Sequence, residues 1–107
     1  MEYKYELIVS IVNAGFSESV MEAAKEAGAR GGTVIHGRGT ANKEAEKFFG
    51  ITVQPEKEVV LIVVSKDIKE KVLHALYKSV GLDTRGQGIA FSLPVDETVG
   101  FTPAEKQ

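Results

Sequence analysis

The sequence predicts an α+β domain in which a four-stranded antiparallel sheet carries two helices on one face, in the order βαββαβ. Three observations lead there. Two strand-like stretches are each followed by a stretch with helical spacing of its apolar residues, and one further strand follows each helix. Right-handed crossovers then place both helices on the same side of the sheet. At 107 residues, 43% hydrophobic and 26% charged, the chain suits a single domain spanning 1–107.

The elements follow in order. From Tyr3 to Val12 the residues Tyr3, Tyr5, Leu7, Val9 and Ile11 alternate with Lys4, Glu6, Ile8, Ser10 and Val12, the period of a strand. Phe16, Val20, Ala23, Ala24 and Ala27 then recur at helical spacing, with Ser19 and Glu22 in capping-box register and Gly28 as a stop. Thr33 to His36 is a short strand ending in Gly37-Arg38-Gly39, and the polar stretch Ala41 to Phe49 is a long loop. Glu58 to Ser65 carries β-branched residues on both faces and is a central strand covered on both sides. Asp67 with Glu70 opens a second helix, whose stripe of Ile68, Val72, Ala75, Leu76 and Val80 ends at Gly81. Ile89, Phe91, Leu93 and Val95 make a last strand, where Pro94 suits an end or an edge. This is the split βαβ, or ferredoxin-like, arrangement. Ile8 and Val12 lie on the second face of the first strand, which the helices are expected to leave open. An apolar face of this extent calls for a homo-oligomer.

Composition narrows the function. Without cysteine there is no disulfide framework or thiolate metal site, and a reducing cytoplasm is the expected compartment. The longest apolar run, Val59 to Val64, is far too short to span a bilayer, and the first residues do not read as a signal peptide. Thirteen basic against fifteen acidic residues give a net charge of −2, so neither nucleic-acid binding nor membrane insertion is expected.

Glycine and arginine share one map. Eight of the 11 glycines fall around the second strand or before the fourth, and the only three arginines, Arg30, Arg38 and Arg85, each abut one of them. Backbone amides in glycine loops can cradle an anion, and the guanidinium fork matches phosphate oxygens. Gly28 and Gly81 read as helix C-caps, whereas Gly37-Arg38-Gly39 and Arg85-Gly86-Gln87-Gly88 read as a phosphate site. A side chain at Gly88 would then obstruct the ligand's approach to the backbone. The order of elements is that of neither a P-loop nor a dinucleotide fingerprint, since Gly86-x-Gly88 enters a strand. His36 and His74 have no partners at metal-ligand spacing, and no triad or paired carboxylate stands out, so neither metal nor catalysis is expected. Phe48-Phe49 reads equally as a local anchor and as a partner contact.

These residues resemble the PII signal-transduction proteins, and more closely their short PII-like branch. The resemblance covers nearly the whole chain. It rests on Val20-x-Glu22-Ala23, on Gly28-Ala29-Arg30-Gly31-Gly32-Thr33-Val34, on the loop after Gly37-Arg38-Gly39, and on Gly86-Gln87-Gly88-Ile89-Ala90-Phe91. It implies a cytoplasmic homotrimer with an adenine nucleotide (AMP, ADP or ATP) bound as effector in the clefts between subunits. The nucleotide would sit between the base of a T-loop, about residues 39–50, and a B-loop, residues 81–88. Thr33 and Val63 would line its nucleoside part; Gly37, Arg38 and Gly39 would form the T-loop base; Gly86, Gln87 and Gly88, following Arg85 in the B-loop, would offer backbone donors. The T-loop, with Thr40, Lys43, Glu44, Lys47, Phe48 and Phe49, would dock on a membrane transporter or an enzyme.

Three departures accompany the resemblance. Ile89 stands where a basic residue follows the B-loop, Asp96 to Phe101 replaces a pair of arginines, and the loop holds neither the modified tyrosine nor the magnesium-binding glutamine. Fewer cations favour a mono- or diphosphate over ATP. Two other readings stand beside this one: a small ferredoxin-like enzyme acting on a compact anionic substrate with His36 as acid/base, and an amino-acid-binding regulatory module of the same topology.

Overall fold

The computed structural model describes residues 4–40 and 55–100. Strands β1 (Tyr5–Asn13), β2 (Thr33–Arg38), β3 (Glu56–Ser65) and β4 (Ile89–Val95) form one antiparallel sheet in the order β2-β3-β1-β4. Helices α1 (Ser17–Glu26) and α2 (Lys69–Val80) are its two crossovers. This is the ferredoxin-like fold expected from the sequence, with Pro94 on an edge strand. The long loop expected over Ala41 to Phe49, Phe48-Phe49 included, lies outside the described residues.

The face covered by the helices differs from the expectation. Glu6, Ile8, Ser10 and Val12 of β1 and Glu58, Val60, Ile62 and Val64 of β3 are buried under α1 and α2, where Val20, Ala24, Val72, Leu76 and Val80 meet them. The open face instead carries Leu7, Val9 and Ile11, with Val59, Leu61 and Val63 beside them in register. Ile35, Ile89, Phe91 and Leu93 extend it at 44–48% exposure. Alternation separates two sets of residues but is blind to which set is covered. The hand of the crossovers decides that, and it also buries Glu6 and Ser10.

Two helix starts are corrected. Ser19 and Glu22 do not cap α1, which begins at Ser17 with Phe16 as N-cap and no side-chain bond from its own chain neighbours. Asp67 does not cap α2 either: the Ser65 hydroxyl accepts the Asp67 amide at 3.3 Å and starts a 3-10 turn, Lys66–Ile68, that leads into the helix. The stops are as read. Gly28, at φ +113°, follows the last turn of α1, and the Ala29 and Gly28 amides return to the Ala24 and Lys25 carbonyls in a Schellman pattern. Gly81 closes α2 in an extended conformation, where a Cβ would stand 2.5 Å from the Tyr77 carbonyl oxygen.

Candidate functional site

One end of the sheet gathers the chemistry. Asn13 closes β1 and lies opposite Lys57 of β3, and Lys57 lies opposite Gly37 of β2. On the other flank Ile11 pairs with Ile89, so the loop before β4 rises next to Asn13. The two glycine-arginine stretches therefore share one end of the sheet, but on opposite edges. Three strand spacings, about 14 Å, separate β2 from β4.

Asn13 stands within that gap and spans it as far as β3. Its amide N–H donates to the Gly86 carbonyl at 2.9 Å, and its side-chain Nδ2 donates to the Arg85 carbonyl at 3.1 Å and to Gln87 Oε1 at 3.5 Å. Its Oδ1 accepts Lys57 Nζ at 2.8 Å. One side chain thus ties the Arg85–Gln87 loop to a lysine standing across from Gly37. Neither Asn13 nor Lys57 is conspicuous in the sequence, because their proximity is set by sheet register across 44 residues.

The loop departs from the role the sequence suggests. The Gln87 amide donates to the Thr84 carbonyl at 3.0 Å and the Gly88 amide to the Val80 carbonyl at 2.6 Å. Those two groups brace the loop and are not free to meet a phosphate. Gly88 is glycine for an internal reason: a Cβ there would stand 2.5 Å from the Val80 oxygen and 2.6 Å from Val12 Cγ1. The Gly86 amide has no acceptor among the described residues. The exposed Gln87 is held at φ 45° between two glycines, a left-handed turn that costs a residue with a Cβ roughly 1–2 kcal/mol.

At the other edge, Arg38 ends β2 opposite Glu56, and the Gly39 amide donates to the Pro55 carbonyl at 2.7 Å. Gly37 faces open space. Arg38, Arg85 and Thr40 are exposed. Lys43, Glu44, Lys47, Phe48 and Phe49 lie outside the described residues. Thr33 and Val63 share the open face, opposite Leu61 and Leu7, but four and six residues along their strands from the Gly37–Lys57 row, or about 13 and 20 Å. The chain does not bring them to the loops. Arg30 precedes β2 and belongs to its other end.

Glu58 is the titratable group the sequence reading passed over. It accepts the amides of Gly15 and Ser17 on Oε1, each at 3.0 Å, and its Oε2 stands 3.8 Å from His36 Nδ1. Burial works to raise its pKa. The Gly15 and Ser17 amides, the Ser17 hydroxyl and the neighbouring His36 outweigh burial and hold the carboxyl below its ordinary value. A charged residue at a core-facing position of an apolar strand was the available signal. His36 is highly exposed and too far from Glu58 for a hydrogen bond, so the pair is a weak attraction, present when His36 is protonated. No group of three metal-ligating side chains comes together among the described residues, and no helix there is long and apolar enough to cross a membrane.

The family model described as Nitrogen regulatory protein P-II matches residues 5–105. A crystal structure of Arabidopsis thaliana PII bound to citrate is similar at 29% identity, with a TM-score of 0.63, over 88% of this chain and 77% of that one.

Proposed function

The chain belongs to the nitrogen regulatory protein P-II family, and from that premise we propose that it binds a small phosphorylated effector, an adenine nucleotide, and relays its presence to a transporter or enzyme through the loop that follows Arg38. The carrying observation is that both glycine-arginine stretches lie at one end of the sheet, with Asn13 and Lys57 between them. Arg38, Lys57 and Arg85 supply the positive charge there, and guanidinium groups suit phosphate. The citrate carried by the similar plant protein is a compact polyanion and supports an anion site in this frame.

Assembly completes the cleft. The two arginine edges stand about 14 Å apart within one chain, and Thr33 and Val63 lie further along the apolar face. Packing three such faces together, in a cytoplasmic homotrimer, supplies the missing wall from a neighbouring subunit. It also covers Leu7, Val9, Ile11 and Phe91, a surface of the kind that drives association. A ligand shifts the loop only by its difference in affinity between the loop's conformations, so contact with Arg38, at the loop's root, is the direct lever. Calorimetric titration with AMP, ADP, ATP and citrate tests the reading. Binding of a mono- or diphosphate more tightly than ATP is expected, and a flat response to all the nucleotides overturns it.

A further inference from the structure

The helix layer, on the far side of the sheet from the apolar open face, carries a groove of about 510 Å3 between α1 and α2. From α1 it is lined by Ser19, Glu22, Ala23, Glu26 and Ala27, and from α2 by Lys71, His74, Ala75, Lys78 and Ser79. The two sets have the same helical spacing. Because β1 and β3 are antiparallel and each helix returns along the strand before it, α1 and α2 also run antiparallel, and the groove is close to two-fold symmetric in shape. Its charge has the opposite symmetry. Half-buried Ala23 and Ala75 make a floor of small side chains, with the exposed acids Glu22 and Glu26 on one rim and exposed Lys71, His74 and Lys78 on the other. Glu22, Glu26, Lys71 and Lys78 make no ion pair among the described residues. Glu18, Lys25 and Glu70 do not line the groove.

A face that is two-fold in shape and opposite in charge across its axis is complementary to a second copy of itself. Two copies can be laid face to face about a dyad in two ways. One sets α1 on the partner's α1 and brings the acidic rows together. The other sets α1 on the partner's α2, so that acidic row meets basic row twice over, while the alanine floor leaves room for the long side chains. A partner of one charge sign gains nothing comparable, since what one rim attracts the other repels. We propose that this groove is a self-association surface, on which α1 of one copy pairs with α2 of a second copy of the chain. Helices of 10 and 12 residues span about 15–18 Å, and with a width of about 20 Å they offer roughly 300 Å2 a side, below the ~800 Å2 of a stable interface. The pairing is therefore reversible, weak and governed by charge.

Sedimentation equilibrium tests this with the full chain. The pairing does not depend on the open sheet face, so it is measured both in the parent and in Leu61→Asp, which puts a charge on that face and in which the pairing stops at a dimer. In about 20 mM salt the mean mass should rise as protein concentration approaches about 1 mM, and about 500 mM salt should weaken the association about tenfold to hundredfold. Glu22→Lys with Glu26→Lys makes both rims basic, and Lys71→Glu with Lys78→Glu makes both acidic; each double variant alone should lose the rise. An equimolar mixture of the two should regain it, a recovery that a folding defect in either would not produce. A parent whose mass is constant, which would leave the groove to a different partner, overturns the proposal. So does either double variant associating as strongly as the parent, or a mixture that does not recover.

Discussion

Glu58 and Ser17 stand 41 residues apart in sequence, and the carboxylate of the first accepts the amide of the second at 3.0 Å. The strand thereby caps the helix. Because α1 has no capping side chain of its own, its first amide, that of Ser17, and its positive end meet a charge from β3, which also holds the Gly15 amide just before the helix. Glu58→Ala should therefore destabilise the fold by about 1–2 kcal/mol, the upper range for a lost cap, as read by urea unfolding. A neutral result would mean that water serves the helix end equally well.

The same carboxylate gives a pH dependence. Its pKa is lowered in the folded state from an ordinary value of 4.5, so the native state holds it ionised where the unfolded chain has begun to protonate. Its contribution is present above pH 4.5 and is lost as pH falls through the lowered value. Thermal unfolding of the parent and of Glu58→Gln should differ most near neutrality and converge in acid. A gap that widens in acid would contradict the assignment.

Gly88 and Gly37 should respond oppositely to alanine. A Cβ at Gly88 meets the Val80 oxygen and Val12 at 2.5 and 2.6 Å, whereas one at Gly37 meets nothing within 4 Å. Gly88→Ala should cost about 1–3 kcal/mol by overpacking, and Gly37→Ala should leave the melting temperature nearly unchanged. Loss of ligand binding in a Gly88 variant consequently reports on folding before it reports on the site.

Arg38→Ala tests the effector site without touching the core. Removal of a charge-assisted hydrogen bond worth roughly 1.5–3 kcal/mol should weaken nucleotide binding about tenfold to hundredfold by calorimetry. Affinities equal to the parent's for AMP, ADP and ATP would place the site elsewhere.

Leu61 lies at the middle of the open face, between Val9 and Thr33 in register. Leu61→Asp should dissociate the assembly, because an unpaired charge is not buried cheaply. Light scattering should give a trimer mass for the parent and a lower one for the variant. A monomeric parent at micromolar concentration would end the trimer reading.

The sequence alone carried the element order, the central place of the strand around Val59 to Val64, though not the cover expected on both its faces, and the helix stops at Gly28 and Gly81, because periodicity and glycine placement are local properties. It also marked Gly37-Arg38-Gly39 and Arg85 to Gly88 as the stretches of interest. Tertiary structure decided the rest. The hand of the crossovers put Ile8 and Val12, rather than Leu7 and Val9, beneath the helices. Register brought Lys57 to Asn13 and Glu58 to the start of α1 across more than 40 residues. Packing turned Gly88 from an expected ligand contact into a fit against Val80 and Val12. Each of these depends on which distant backbone lies alongside, and neither composition nor spacing along one chain encodes that distance.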